Sequence, residues 1–473
     1  MPSTASSSTT SSASRPPFAA ILAALVLAAW FVHSAIDAFP TQLGIDFYQF
    51  WGVPLARASG AIAETPYAAE PRYAGVLNAK ADASANAKFR NANRLRRSLE
   101  PMGTPFLYAA FSPFPADYET AQLGYTALLY AAAGAAVFAL ARLWGMAAWP
   151  SVCVALLVLL TSNPFAQDVR SGNVNSLQLA LVVALVAVSA RRRFTGNDWV
   201  DGLFVGALAL MVAFKPNTPW IAIALGLHYA AARGARAFTI GAVEAALLGA
   251  AAFAIGAWRF GGAQAWTEWL ALARGLDGSG LVLPLERGNL SIPMILSRAS
   301  PALGSAAWGL AMAAALALAL VMAFSDRGRD GAGALAAARR GFADPWFAAS
   351  VGIVFTFATS PLVWPHYYVL ALVPMAWLVA ADSSCRACRW GAIVSYLALS
   401  RLAIDPLVGL QAYGVLQFLS VTAWLALLPG ILAHAQAARG ATTPPRFRRW
   451  PTRVATAQSV VVLRRRRRRG RCR

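Results

Sequence analysis

The sequence predicts an all-α protein, a polytopic transmembrane helical bundle of about 12 spans with two long extracytoplasmic loops. Three observations predict it. Residues of the set AVILMFWYC make up 58% of the 473-residue chain and charged residues only 13%, about half the charged share of an ordinary soluble domain. The apolar residues fall in blocks of about 16–25, the length that crosses a ~30 Å hydrocarbon core at about 1.5 Å per helical residue. The basic residues, which leave a net charge of +21, are placed unevenly between the connections.

Residues 1–17, rich in Ser, Thr, Ala and Pro, read as a disordered leader. The block Phe18 to Ile36 reads as an anchoring span, with a cleaved signal core ending near Ser34 and Ala35 as the alternative. Either choice places the polar segment 37–119 outside. The remaining apolar blocks are 121–141, 147–162, 173–190, 200–214, 217–232, 237–257, 301–324, 346–363, 366–381, 390–403 and 407–434. Together they define a transmembrane domain over 18–434 with outer loops 37–119 and 258–300. An even count puts both termini on one side, and Lys and Arg in short connections identify that side as cytoplasmic. Arg142, Arg191 to Arg193, Arg233, Arg236, Arg327, Arg329, Arg339, Arg340, Arg386 and Arg389 fall in inner connections; the outer short ones hold only Arg170, Lys215 and Arg401.

Residues 435–473 form a cytoplasmic tail with 13 arginines and no acid. Such a run following a span anchors to anionic lipid by charge and implies no nucleic-acid partner. Three Lys against 38 Arg, with abundant Ala, points to a GC-rich bacterial genome and hence to a bacterial inner (plasma) membrane. Cys153, Cys385, Cys388 and Cys472 make no disulfide framework for a chain of this size. Without a second pair or a neighbouring His, Cys385-x-x-Cys388 reads as a short polar loop.

The outer face carries the chemistry-bearing groups. The first loop opens Gly44-Ile45-Asp46-Phe47-Tyr48-Gln49-Phe50-Trp51. A helix starting after Asp46 puts Phe47, Phe50, Trp51 and Leu55 on one face, an aromatic stripe suited to the membrane interface, with Asp46 at a helix N-terminus facing water. The plainer reading makes Asp46 an N-cap and the stripe packing. Asp168, Arg170, Asn173, Asn175, Lys215, Asn217, Arg259, Arg287, His366 and Tyr367 cluster at predicted outer span ends. Several cations beside a carboxylate in one plane suit an anionic phospholipid head group. Inside the membrane only Glu244, and His228 and His434 near span ends, are ionisable, too few for a proton relay. Asn289-Leu290-Ser291 also matches the glycosylation acceptor pattern.

In this order and topology, certain pieces resemble the GT-C superfamily of integral-membrane glycosyltransferases, and within it glycosyltransferase family 87. They are Asp46 with Phe47-Tyr48, Gly172-Asn173-Val174-Asn175, Lys215-Pro216, Asn289-Leu290-Ser291, and His366-Tyr367-Tyr368 with Pro374. The resemblance runs from Phe18 to about His434. Phe106-Leu107-Tyr108-Ala109-Ala110 stands where the family usually has an aromatic-Tyr-Pro-Pro stretch, Asn173 stands where Gln is commoner, and the stretch from Asn78 to Arg97 looks like an insertion. The resemblance implies a polyprenyl-phosphate sugar donor, mannose-like or arabinofuranose-like, a glycolipid or polysaccharide acceptor, and chemistry on the outer face. It makes Asp46 the expected general base, with Asp37 and Asp168 in reserve.

A positioned carboxylate helps a weakly nucleophilic hydroxyl by taking its proton, and the leaving lipid phosphate needs fixed cations. Arg170, Lys215, Arg259 and His366 are the expected phosphate-binding residues; Tyr48, Asn173, Asn175 and Asn289 are the expected substrate contacts. No cofactor and no obligatory metal are expected, for want of a dense carboxylate cluster, and a single base favours inversion by analogy. A transporter or lipid flippase is the alternative from another class, and another lipid-phosphate-dependent transferase or ligase is the alternative from the same one. Transport predicts broken helices and polar groups at mid-membrane depth, which this sequence scarcely has.

Overall fold

The computed structural model describes residues 18–60, 62–190, 194–275, 289–291, 294, 341–360, 362–380, 385–404 and 413–440. Every named element among them is a helix. The block 301–324, Arg287, the leader and the tail beyond 440 lie outside the described residues. Helix α1 (Phe18–Ala38) leads through a 3₁₀ turn into the polar segment 37–119, which is itself helical: α2 (Ile45–Ala58), α3 (Glu70–Asp82), α4 (Ala87–Leu95) and α5 (Pro105–Phe111). The apolar helices follow as α6 (Tyr118–Leu143), α7 (Ala148–Thr161), α9 (Asn175–Ala190), α10 (Asp198–Phe214), α11 (Pro219–Arg233) and α12 (Ala235–Arg259), with the short α8 (Asn163–Ser171) between α7 and α9. Beyond α13 (Gln264–Gly275) come α14 (Pro345–Thr359), α15 (Leu372–Ala380), α16 (Arg386–Ala398) and α17 (Tyr413–Gly440).

Several helices start where a polar side chain satisfies an otherwise unpaired amide. Thr104 accepts from the Leu107 amide ahead of α5, Asp117 from Thr120 ahead of α6, Ser162 from Phe165 ahead of α8, and Asn197 from Trp199 ahead of α10. Helix α6 packs between α7 and α9, α10 runs along α12, and α11 against α14. Small residues permit the α10–α12 approach: a Cβ on Gly206 would stand 2.5 Å from Leu248, and one on Gly241 2.7 Å from Val205. Buried Glu244 lies against Gly202 in the same contact.

Three described helical stretches are long and apolar enough to cross a membrane, Phe18–Thr41, Tyr118–Leu143 and Ala235–Arg259; five further apolar helices span 10–17 residues. Among the described residues the predicted blocks are helical, yet only three helical stretches reach crossing length and the expected twelve spans are not confirmed. At 16 residues, α9 covers roughly 24 Å of a ~30 Å core. The block 366–381 is also not one helix. It opens as a 3₁₀ turn over Pro365–Ala371, because Pro374 has no N–H to bond the carbonyl four residues back. Leu22, Leu25, Trp30, Leu247, Trp258 and Phe418 are exposed, the apolar outer surface that lipid would cover.

Two further expectations need correction. The aromatic stripe of α2 does not lie on a membrane surface: Phe47, Phe50 and Trp51 are buried. Phe47 stacks on Tyr125 with ring centroids 5.0 Å apart, Phe50 meets Phe111 at 5.3 Å, and Trp51 meets Tyr118 at 5.1 Å. An amphipathic pattern records that one face shuns water; here it packs on α5 and α6. The stretch from Asn78 to Arg97, expected as an insertion, folds as the end of α3 and the whole of α4, packed through Ala81, Phe89 and Ala92. Cys385 and Cys388 are joined in a disulfide. Cys385 caps α16, and one helical turn brings the two Cα atoms to 5.3 Å, within bonding range.

The segment between α1 and α6 touches α13. Thr65 donates to Glu268 of α13, and the Trp269 indole donates to the Met102 carbonyl at 3.2 Å. The start of α2 is strapped from several sides. Gln122 donates to the Gln42 carbonyl at 2.7 Å, Tyr118 donates to the Leu43 carbonyl, and the Gly44 amide donates to the Arg170 carbonyl at 3.1 Å. Gly44 and Gly172 meet with positive φ, +61° and +68°, and a Cβ on Gly172 would stand 2.6 Å from Phe47 Cβ and 3.3 Å from Gly44 Cα. Gly172→Ala is therefore expected to displace α2 and destabilise the protein by about 1–3 kcal/mol. Thermal melting of the detergent-solubilised variant checks it, and an unchanged melting temperature would contradict it.

Candidate active site

Asp46 stands in the first turn of α2, with Gly44 rather than Asp46 in the capping position. Its carboxylate is partly buried and has two partners from distant sequence. Oδ2 accepts from Asn173 Nδ2 at 2.8 Å, and Oδ1 is 3.4 Å from Arg96 Nη2. The turn between α8 and α9 presents Asn173, because Gly172 ends α8 in the left-handed conformation that glycine adopts without strain.

From Asp46 a row of polar groups runs inward. The Asn173 carbonyl oxygen accepts from Lys215 Nζ at 2.6 Å and from the Val174 amide at 2.7 Å. Lys215 donates also to Asn175 Oδ1 at 3.0 Å, and Asn175 Nδ2 donates to Asp168 Oδ1 at 2.9 Å. Oδ2 of Asp168 accepts from the Ser176 amide at 2.8 Å and from the Ser176 hydroxyl. The order is carboxylate, amide, ammonium, amide, carboxylate, with each amide turned so that its oxygen meets the cation and its NH₂ a carboxylate. Short Asn side chains fit this alternation between fixed backbones, which accounts for Asn at position 173.

Lys215 ends α10 with extended backbone, and its Nζ lies 4.3 Å from the centre of the Tyr367 ring. Burial lowers its pKa from 10.5 to about 8, against the pull of Asp168 and Asp46. Burial likewise raises the Asp168 carboxyl, opposed by its hydrogen bonds from Ser176 and Asn175. Asp168 is thus sequestered, capping α9 and balancing Lys215. Asp37, the other reserve, is exposed at the end of α1 and pairs with His33 at 3.3 Å.

The remaining expected site residues divide. His366 is buried beside Tyr367, ring centroids 5.0 Å apart, and its Nε2 has no partner among the described residues. It therefore joins the Lys215 group. Tyr48 is fully buried; its hydroxyl accepts from Asn93 Nδ2 at 2.7 Å, and burial pushes its pKa up to about 12. Asn289 is buried, and its carbonyl oxygen accepts from the Ser291 and Val363 amides at 3.0 Å each. It braces the turn leading to His366, and its burial sets aside the glycosylation reading. Arg170 is exposed and contributes its backbone carbonyl to Gly44. Arg259 is exposed over the Trp258 ring at 5.4 Å. Among the described residues neither side chain makes a hydrogen bond or ion pair with Asp46.

Sequence reasoning missed Arg96, Asn93 and Glu100. Arg96 bridges Asp46 and Glu100, the latter at 3.0 Å, while Asn93 holds Tyr48. All three lie in or beside the stretch treated as an insertion. The available signal was the concentration of arginines in that outer loop. Among the described residues no three His, Cys, Asp or Glu side chains cluster as metal ligands would.

A partly open carboxylate at the end of a hydrogen-bonded row of charges, carried on an apolar helical scaffold, has the makings of a membrane-bound group-transfer enzyme. The chain belongs to glycosyltransferase family 87, whose sequence model matches residues 102–343, and it is accordingly a glycosyltransferase. The match takes in Asp168, Asn173, Asn175 and Lys215 and leaves Asp46, Arg96 and His366 beyond its ends, a narrower reach than the resemblance over 18–434. Neither a curated protein nor a solved structure matches the chain.

Proposed function

We propose that the enzyme moves a mannose-like or arabinofuranose-like sugar from a polyprenyl-phosphate donor to a glycolipid or polysaccharide acceptor. The reaction takes place on the extracytoplasmic face of a bacterial plasma membrane. Asp46 is the general base. An acceptor hydroxyl oxygen attacks the anomeric carbon and gives its proton to the Asp46 carboxylate, while the bond from that carbon to the phosphate oxygen breaks. The electron pair leaves with the polyprenyl phosphate, and a single displacement inverts the anomeric centre.

Lys215 and His366 receive the developing phosphate charge. Lys215 is already oriented by two asparagine oxygens, so little reorganisation accompanies charge development. The observation that carries this reading is the hydrogen-bonded row from Asp46 through Asn173 to Lys215. In that row the Asp46 carboxylate and the Lys215 ammonium stand one asparagine side chain apart.

The test supplies purified enzyme with labelled polyprenyl-phosphate sugars and a crude lipid acceptor fraction, with products separated by chromatography. At least one such donor is expected to turn over. Transfer from nucleotide sugars alone, or from no donor offered, would overturn the donor assignment.

A further inference from the structure

The most informative unexplained group is the guanidinium of Arg96. It sits at the end of α4, with about a fifth of its side-chain surface exposed. Nη1 is held by Glu100 at 3.0 Å, whereas Nη2 reaches Asp46 only at 3.4 Å. Nε is buried with no hydrogen-bond partner among the described residues. Buried N–H donors are rarely left without an acceptor, so such a donor calls for an explanation. Nε and Nη2 together form the side-on edge of a guanidinium, which takes a carboxylate or phosphate by two parallel hydrogen bonds. Here one arm of that fork is long and the other empty.

The surrounding turn is built to hold this arginine. Glu100 has a left-handed φ of 45°, uncommon for a residue other than glycine or asparagine. The turn is pinned by the Leu99 amide donating to Glu70 at 2.7 Å, and by Asn93 donating to both Asn78 and Tyr48 at 2.7 Å. Backbone strain kept in place by several such bonds is a mark of functional segments. The segment of α3 and α4 therefore brings to Asp46 a cation whose strong partner is Glu100, leaving the edge nearer Asp46 available to a second anion.

We propose that Arg96 is a ligand for the phosphate of the lipid-linked donor, parked on Glu100 and Asp46 until the donor arrives. This rests on the polyprenyl-phosphate reading of the same site. On donor binding the Nε–Nη2 edge takes two phosphate oxygens. The loose contact with Asp46 is given up, which frees the carboxylate for the acceptor hydroxyl. Arg96 and Lys215 then neutralise the leaving phosphate together, and the base is unmasked only when a donor is present.

The experiment measures binding of a short-chain polyprenyl phosphate without sugar to the full chain in nanodiscs. Polyprenol and an anionic phospholipid serve as competitors. Wild type is expected to bind the polyprenyl phosphate and to be displaced by neither competitor. Arg96→Gln should weaken binding about 10- to 100-fold, the range for loss of charge-assisted hydrogen bonds. Arg96→Lys, which keeps the charge and loses the fork, should fall between, and it carries the test if the Gln variant does not fold. Glu100→Gln removes the competing carboxylate and should bind at least as tightly as wild type.

Affinity of Arg96→Gln within twofold of wild type would overturn the assignment. So would a loss in Glu100→Gln equal to that in Arg96→Gln, since the arginine would then only brace the turn. Displacement by the phospholipid would reassign the site to bulk lipid. Failure of wild type to bind any polyprenyl phosphate would instead overturn the donor reading itself.

Discussion

Asp46→Asn lowers sugar transfer by about 10²- to 10⁴-fold, the contribution of a positioned general base, while donor affinity stays within a few-fold of wild type. The substitution is nearly isosteric. The new amide oxygen still accepts from Asn173, so the turn after Gly172 keeps its place, and the aromatic packing of Phe47 on Tyr125 is untouched. What disappears is the carboxylate proposed to take the acceptor's proton. Initial rates with saturating donor separate the two quantities, since loss of the base lowers kcat and loss of binding raises KM. A wild-type rate in Asp46→Asn would remove Asp46 from the mechanism. The buried alternative, Asp168, already accepts from Ser176 and Asn175 and has no comparable access to an incoming hydroxyl.

Lys215→Met has the second large effect, and it acts on both activity and stability. The variant leaves the Asn175 oxygen without its donor and Asp168 without a nearby positive charge, while the Asn173 oxygen keeps the Val174 amide. Each buried acceptor left unpaired costs about 1–3 kcal/mol. Loss of the cation facing the leaving group is expected to lower kcat/KM by about 10²-fold or more, the scale set by removal of one charge-stabilising donor at an active site.

The pH dependence gives an independent signature. Burial holds the Lys215 ammonium near a pKa of about 8, so wild-type kcat/KM should fall as pH rises through that value. Stability runs the other way. Between about 8 and the ordinary 10.5 the unfolded chain binds a proton that the folded protein has released, so this residue's contribution to stability grows with pH. Opposite trends of activity and melting temperature over that window are expected in wild type and should be absent in Lys215→Met. A wild-type activity profile flat from pH 7 to 10 would contradict the role of the ammonium.

How far the sequence carries these arguments differs by element. The helices α6, α7, α9, α10, α11 and α12 fall where the apolar blocks place them, because continuous apolarity acts locally, and Asp117 and Asn197 cap the starts of α6 and α10. Membrane crossing is less local. It depends on length and tilt, and several of these helices are shorter than a bilayer core. Asp46, Asn173, Asn175 and Lys215 are recognisable because polar groups at the ends of apolar helices stand out against their surroundings. Arg96 does not stand out in a segment where arginines are common. Its pairing with Asp46, 50 residues away, is decided by how α3 and α4 fold over α2. The stripe of Phe47, Phe50 and Trp51 fails for a related reason: periodicity identifies a water-avoiding face and leaves open whether lipid or protein covers it.

The contact of Gly44 with Gly172 limits how freely the enzyme could be recombined. Asp46 is carried on one stretch of chain and the asparagines and lysine on another, and the two meet at a seam one hydrogen atom wide on each side. Chimaeras that transplant the first outer segment between homologues would have to move this pair of glycines as a unit. A donor loop and a recipient bundle that each fold well would still misalign base and cation by the width of a methyl group if either glycine were missing.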